Sequence, residues 1–245
     1  MLDDTEVIIH RHYCPPGVKK VIASGSSAFI GEVDDLTVMK LPLAPGGDMR
    51  FRGFSDKGLY LERAVNGTLG YYLLESDNTP PSIQQQLSWC REATEAVAWI
   101  HAQGIIHCNI RPGNILLDED LHIKLSDFQG KQLSSDGTVL LDGSGEPVRS
   151  YCPRADPFDA DVKTDLFALG CTIYLIMMGY SVFPDIVDGE DGWYEQRFEK
   201  QQFPRDSHAC SAITWKCWLK EYESAEELLR DIEVVEKGLR TGPAT

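Results

Sequence analysis

The chain has 245 residues, enough to bury a substantial core in one large domain or in two lobes. Its 23 basic and 38 acidic side chains give a formal net charge of −15. A surface this acidic does not suit nucleic acid or an anionic membrane. We therefore expect no nucleic-acid or membrane partner, which leaves a protein substrate or a protein partner open.

Two further features favour a reducing compartment, cytoplasmic or nuclear. No apolar run is long enough to cross a bilayer, and the start, MLDDTEVIIH, lacks the pattern of a signal peptide. The seven cysteines are odd in number and contain no C-x-x-C pair. This usage indicates reduced thiols, with neither a disulfide framework nor a zinc site.

Residues 18–42 predict three short antiparallel strands, in VKKVIA, FIGEV and TVMKLP. The next segment, Leu41–Arg50, contains two prolines and two glycines, a composition that cannot sustain a helix. MRFRGF, the turn SDKG and LYLERA then predict a β-hairpin. The first part of the chain is therefore expected to be a small β-sheet.

The clearest predicted helix covers Ser82 to Gln103. Ser82 can cap its start, Gly104 can end it, and apolar residues fall on one face at Leu87, Cys90, Ala93, Val97 and Ile100. A shorter helix is expected to start around Gly67–Leu69, and Ser224 with Glu227 predicts a capping box before a last amphipathic helix.

The stretch from Gly104 to Phe128, GIIHCNIRPGNILLDEDLHIKLSDF, contains the candidate site. A β-hairpin in this stretch would hold Asn114 and Asp127 facing one another. An amide oxygen and a carboxylate placed in this way suit Mg²⁺, a hard cation that takes oxygen ligands and shares them with phosphates. The stretch therefore predicts a magnesium site beside a phosphate.

The residue types and spacing of this stretch resemble the catalytic loop of protein kinases, H-R-D-x-x-x-x-N, and the D-F-G motif that follows it. The segment HCNIRPGNILLD is also similar to the corresponding segment in a group of fungal kinase-like proteins. KTDLFALGCTIYLIMMGYSVF resembles the buried kinase helix F, in which Asp165 matches a carboxylate that hydrogen-bonds the catalytic-loop backbone. With KCWLKEYESAEELLRDIEVVEKG at the C-terminal end, the resemblance extends over residues 18–237.

The resemblance implies an α+β, two-lobed protein-kinase-like fold for a single domain, residues 1–245. Its N-lobe, residues 1–61, would be a reduced antiparallel β-sheet that lacks helix C and its glutamate. A hinge and a mainly helical C-lobe would occupy residues 62–245. The absence of helix C would be either a true loss or the result of a truncated gene model.

The resemblance also implies ATP and Mg²⁺ as cofactors. Lys40 in TVMK resembles the lysine that pairs with the α- and β-phosphates, and Gly25 belongs to a degenerate glycine-rich loop, GSSAFIGEV. The backbone groups of Glu62 and Ala64 stand where kinases bind adenine. Mg²⁺ is expected at Asn114 and Asp127, while Arg111, in place of the catalytic-loop lysine, would offset phosphate charge.

Several departures from the family pattern bear on catalysis. Asn109 replaces the catalytic aspartate and cannot accept a proton, a role typically worth about 10²–10⁴-fold in rate. Gln129 replaces the glycine of D-F-G. Cys108 replaces the arginine that binds a phosphorylated residue in many kinases. The residue would lie in the segment 130–147, which the sequence predicts to be a mobile loop. Control by phosphorylation of this segment is therefore not expected.

These departures predict a pseudokinase that acts through its surface. One alternative is a weakly active Ser/Thr protein kinase, whose rate the change Asn109→Asp would raise. A second alternative is a small-molecule phosphotransferase of the aminoglycoside or choline kinase type, which shares H-x-D-x-x-x-x-N. Against the second alternative stand KTDLFALG and CW…SAEELL, which resemble helices of protein kinases.

Overall fold

A computed structural model describes residues 17–24, 28–42, 58–128, 130–143, 148–187 and 192–241. Gly25, Gln129 and residues 43–57 lie outside this described part of the chain. The expectations of no helix C after Lys40 and of a first hairpin strand in MRFRGF fall there too. The chain divides into two compact units, residues 1–65 and 66–245.

The first unit contains an antiparallel sheet of four strands in the order β1-β2-β3-β4. All three strands predicted over residues 18–42 are confirmed, and LYLERA supplies the fourth. Met39 of the third strand is fully buried, and its neighbour Val38 is buried as well. The bounds are Lys20–Ser24 for β1, Ala28–Glu32 for β2, Thr37–Pro42 for β3 and Leu59–Glu62 for β4.

The second unit is mainly helical, as expected. Its longest helix starts at the predicted cap, where the Ser82 side chain accepts a hydrogen bond from the backbone N–H of Gln85 at 3.2 Å. It ends before Gly104, whose φ of 72° favours glycine. The helices are α1 Leu69–Leu74, α2 Ile83–Ala102, α3 Val162–Met178, α4 Gly192–Glu199, α5 Ser211–Trp218 and α6 Ala225–Thr241.

Helix α3 forms the centre of this unit. Asp161 and Thr164 cap its start reciprocally, and Gly179, in the left-handed region, ends it. Every residue from Thr164 to Ile176 is buried, and the helices that α3 packs against most are α2 and α5. Each buried Leu, Ile or Phe side chain contributes about 1.5–3 kcal/mol to stability by leaving water. Helix α3 is therefore held firmly in the core and gives its polar residues fixed positions.

Two small sheets complete the second unit. Strand β6 (Ile115–Leu117) pairs with β7 (Ile123–Leu125), which confirms the predicted hairpin. Strands β5 (Ile105–Ile106), β8 (Lys131–Leu133) and β9 (Val139–Leu141) form the other sheet, in the order β5-β8-β9. The interpretation of residues 130–147 as a mobile loop is therefore wrong for residues 131–141, which form a hairpin.

The predicted capping box before α6 differs in detail. The Glu227 carboxylate accepts from the backbone N–H of Glu223, at 2.9 Å, one residue earlier than the pattern requires. Within the described part of the chain, six cysteines are all free thiols. No helix among the described residues combines the length and the apolar character needed to cross a membrane.

Candidate active site

Asp165 of α3 holds the loop that follows β5. Its carboxylate is 1% exposed, and it accepts hydrogen bonds from the backbone N–H groups of His107, at 2.7 Å, and Cys108, at 2.9 Å. Hydrogen bonds to an ionised acceptor are about twice as strong as neutral ones. A rigid buried helix thus fixes the backbone of the loop, in the contact that the resemblance implied for Asp165.

His101 is a further partner of Asp165 that the sequence reasoning missed. It lies in the last turn of α2, and its Nε2 atom is 2.9 Å from Asp165 Oδ2. This contact joins two helices whose contacting residues are 64 positions apart in the chain. No local sequence pattern around His101 indicates this contact, because a histidine at the end of a helix can face solvent as well as the core.

Two residues of the site adopt a strained backbone conformation. Cys108 has a φ of 62° and Asp127 a φ of 63°, in the left-handed region that side chains other than glycine rarely occupy. Each such residue costs on the order of 1–3 kcal/mol, and it persists only where its surroundings fix it. At Cys108 the hydrogen bond from its N–H to Asp165 supplies part of that constraint.

His107 joins the loop to the segment that contains Asp127. It is fully buried, its Nε2 atom lies 2.9 Å from the backbone oxygen of Ser126, and its Nδ1 atom lies 3.2 Å from the N–H of Asn109. A neutral ring with its proton on Nε2 satisfies both contacts, donating to Ser126 and accepting from Asn109. His107 is therefore a positioning residue.

Burial lowers the pKa of His107 from its ordinary value of 6.5. The unfolded chain then takes up a proton at a higher pH than the folded chain does. We expect the contribution of His107 to the free energy of unfolding to be intact above pH 6.5 and to be lost as the pH falls below it. Proton NMR of the ring measures this pKa directly. A pKa at or above the ordinary value would contradict a buried, neutral His107.

Asn114 lies at the end of a 3₁₀ turn, Pro112–Asn114, and is buried. Its Nδ2 atom donates to the backbone oxygen of Asn109 at 2.9 Å, and its own backbone oxygen accepts from Ser126. Because the amide nitrogen is used in this way, Oδ1 is the atom that suits a cation. The register Ile115↔Leu125 places Asn114 and Asp127 at the same end of the β6–β7 hairpin.

Asn109 and Arg111 occupy the same loop. The backbone of Asn109 is bonded on both sides, its N–H to His107 and its oxygen to Asn114, while its side chain is only partly buried. Arg111 is exposed and precedes the 3₁₀ turn. The structure thus brings Asn109, Asn114 and Asp127 into one connected set of segments, with their chemical roles still predictions.

The predicted ATP residues of the first unit lie on its sheet. Lys40, half-buried in β3, stands opposite Ile30 and Leu59. Glu62 ends β4, and Ala64 follows two residues later. Gly25 falls outside the described residues, so the structure adds nothing on its role.

Gly130 and Lys131 are two contributors that the sequence reasoning did not single out. A Cβ atom on Gly130 would lie 1.8 Å from the backbone oxygen of Ile106, so only glycine allows β8 to approach the strand before His107. The next side chain, Lys131, is buried and donates to the backbone oxygen of Ala160 at 3.0 Å. Gly130 thus lets the segment after Asp127 pack closely on β5, and Lys131 bonds that segment to the residues just before α3.

The model of the protein kinase domain family matches residues 54–244. Rat 3-phosphoinositide-dependent protein kinase 1 is 31% identical over 159 residues, which cover 59% of this chain and 28% of the relative. Serine/threonine-protein kinase PDK1 of Cryptococcus neoformans is 28% identical over 155 residues, covering 59% and 12%. Serine/threonine-protein kinase PLK4 of Drosophila grimshawi is 28% identical over 126 residues, covering 51% and 16%.

This chain spans less than a third of the length of these relatives. The family match starts at residue 54, after Gly25 and Lys40, and it includes the whole loop from His107 to Asp127. It covers well over half of the chain, and its residues contain the antiparallel hairpin, the buried helix α3 and the Asp165 contacts described above. The chain therefore belongs to the protein kinase domain family.

Proposed function

We propose that this kinase domain binds MgATP without transferring its γ-phosphate and thus acts as a pseudokinase. The observation that carries the proposal is Asn109, which occupies the position of the catalytic aspartate in a loop whose supports are otherwise in place. Asp165, His107 and Asn114 all bond the backbone of that loop. A loop that keeps its backbone hydrogen bonds but lacks a general base is expected to keep nucleotide binding and to lose phosphate transfer.

The donor set at the β6–β7 hairpin fits a magnesium ion. Asn114 offers its Oδ1 atom and Asp127 its carboxylate, both oxygen ligands of the kind this cation takes. When bound, the ion would neutralise charge on the nucleotide phosphates. Lys40 and Arg111 would add cationic contacts to those phosphates, and the backbone groups of Glu62 and Ala64 would bind the adenine.

Asn109 limits the chemistry for a simple reason. In the family the aspartate orients the substrate hydroxyl and accepts its proton. The asparagine amide keeps a similar shape and can orient a hydroxyl, but it is not basic enough to take the proton. Any remaining transfer would rely on position and charge alone, so a weakly active Ser/Thr kinase is the second candidate at this same site.

The small-molecule phosphotransferase alternative has less support. Family membership rests on the protein kinase domain model, and the relatives named above are protein kinases by their descriptions. Two of them are serine/threonine kinases, which favours a serine or threonine hydroxyl as the acceptor of any residual transfer. A protein, as substrate or as regulated partner, is accordingly the proposed counterpart of this domain.

Nucleotide binding is expected to raise the melting temperature of the protein. A ligand that binds only the folded state at 100 times its Kd adds about 2.7 kcal/mol of stability. Thermal unfolding with and without millimolar MgATP measures this shift. Lys40→Ala and Asp127→Ala should each abolish most of it, relative to the melt of the same variant without nucleotide.

Two exposed residues provide matched controls for this experiment. Lys19→Ala removes a lysine that is 57% exposed beside β1, and Asp120→Ala removes an exposed aspartate from the β6–β7 turn. Both variants should keep the full shift. A wild-type protein that shows no shift at millimolar MgATP would contradict nucleotide binding while leaving the family assignment untouched.

A further inference from the structure

A cavity of about 470 Å³ lies where α3 ends, and it contains no residue of the candidate active site. Its volume falls within the range of small-molecule sites, about 300–1,000 Å³. It is open to solvent, so an occupant can enter as the end of a longer molecule. The lining residues are Tyr174, Tyr180, Phe183, Pro184, Asp185, Pro204 and Asp206.

Aromatic rings form much of this cavity. The rings of Tyr174 and Tyr180 meet edge to face, with centroids 5.9 Å apart and planes at 78°. Tyr174 and Phe183 are buried, whereas Tyr180 remains half-exposed. The negative faces of such rings attract ammonium and guanidinium groups, and this attraction underlies the aromatic cages that recognise organic cations.

A carboxylate stands at the edge of the same cavity. Asp206 is exposed and accepts hydrogen bonds from the hydroxyls of Tyr174, at 2.6 Å, and Tyr180, at 3.4 Å. Burial and the neighbouring Asp206 raise the pKa of Tyr174, which keeps its hydroxyl a donor. A carboxylate has about four acceptor sites, and among the described residues Asp206 forms no ion pair, so its charge is available to a cation.

The second carboxylate of the cavity already holds a guanidinium. The two terminal nitrogens of Arg197, Nη1 and Nη2, donate to Asp185, and the Arg197 guanidinium carbon lies 5.0 Å from the centre of the Phe183 ring. The protein thus pairs one guanidinium with an aromatic ring and an acid at this place. Asp206 with Tyr180 offers the same pair of partners, and in the described part of the chain no arginine pairs with Asp206.

We propose that this cavity binds an arginine side chain from a basic segment of a partner protein. Tyr180 would supply the ring face, Asp206 the counter-charge, and the prolines the apolar walls for the methylene stem. The planar guanidinium both stacks on aromatic rings and pairs with carboxylates, which the compact ammonium of lysine does less well. A chain of net charge −15 also attracts basic partners at long range.

The test uses the full chain and a blocked peptide, acetyl-Gly-Arg-Gly-amide, followed by NMR chemical shifts or tryptophan fluorescence at low salt. A peptide with citrulline in place of arginine is the neutral control of the same shape. We expect the arginine peptide to bind at least about fivefold more tightly, given the usual strength of a cation–π contact and an exposed ion pair. Asp206→Asn and Tyr180→Leu should each reduce its affinity several-fold.

Asp159→Asn, which removes another exposed carboxylate of the same unit, should leave the affinity unchanged. Equal binding of the arginine and citrulline peptides would overturn the proposal, as would an arginine affinity that survives both cavity variants. Methylguanidinium is a third probe. If it binds as tightly as the arginine peptide, the cavity takes free organic cations and the assignment to a protein partner is wrong.

Discussion

Replacing Asp165 by alanine is expected to lower the free energy of unfolding by about 3–5 kcal/mol, because buried N–H groups lose the carboxylate that accepts their hydrogen bonds. The N–H groups of His107 and Cys108 would both lose their partner inside the core, and His101 would lose its contact as well. Cys108 would also lose the bond that constrains its left-handed backbone. Urea unfolding followed by circular dichroism measures the change.

Two other variants sharpen this experiment. Asp165→Asn keeps one acceptor oxygen but presents an NH₂ group to a backbone N–H, so its loss of stability should fall between wild type and alanine. Asp159→Ala, an exposed residue six positions earlier, should change stability by less than about 0.5 kcal/mol. An Asp165→Ala protein as stable as the Asp159→Ala protein would show that α3 does not support the loop.

The change Asn109→Asp is expected to raise the rate of γ-phosphate transfer by about 10²–10⁴-fold, the usual contribution of a positioned general base. The loop already holds this position through the backbone contacts of Asn109 with His107 and Asn114. A carboxylate placed there can therefore act without rebuilding the site. A library of serine- and threonine-containing peptides with labelled ATP serves as the substrate pool.

Asn109→Ala is the matched control, since it alters the same side chain without adding a base, and it should show no gain. The double change Asn109→Asp with Asp127→Ala should lose the gain, because the cation site fails. If Asn109→Asp transfers phosphate no faster than wild type, the block to transfer lies elsewhere, and Gln129 or the region after Lys40 becomes the candidate.

The sequence predicts the helical part of the fold well because its signals are local. Ser82, the apolar face of α2 and Gly104 specify one helix within a single stretch of chain, and the structure has that helix. The hairpin that places Asn114 and Asp127 at one end is predictable for the same reason, since β6 and β7 are close neighbours in sequence.

Other features depend on contacts between distant parts of the chain. His101 meets Asp165 only because α2 and α3 pack together, so no spacing rule indicates the contact. The β8–β9 hairpin is a different case, because its sequence carries two opposed signals. Asp136-Gly137 is a strong turn signal, and Ser134 and Thr138 bond across it, but the segment around the turn is mostly polar, which favours a loop.

The most direct test of the proposed function is a single-turnover experiment with wild-type protein in excess over ATP labelled at the γ-phosphate, in the presence of Mg²⁺. One sample then reports how much nucleotide is bound and how much label has moved to water or to protein. We predict saturable binding with the bound ATP recovered intact over many minutes. Transfer at the usual kinase rate of about 1–100 s⁻¹, or no binding at all, would contradict the account.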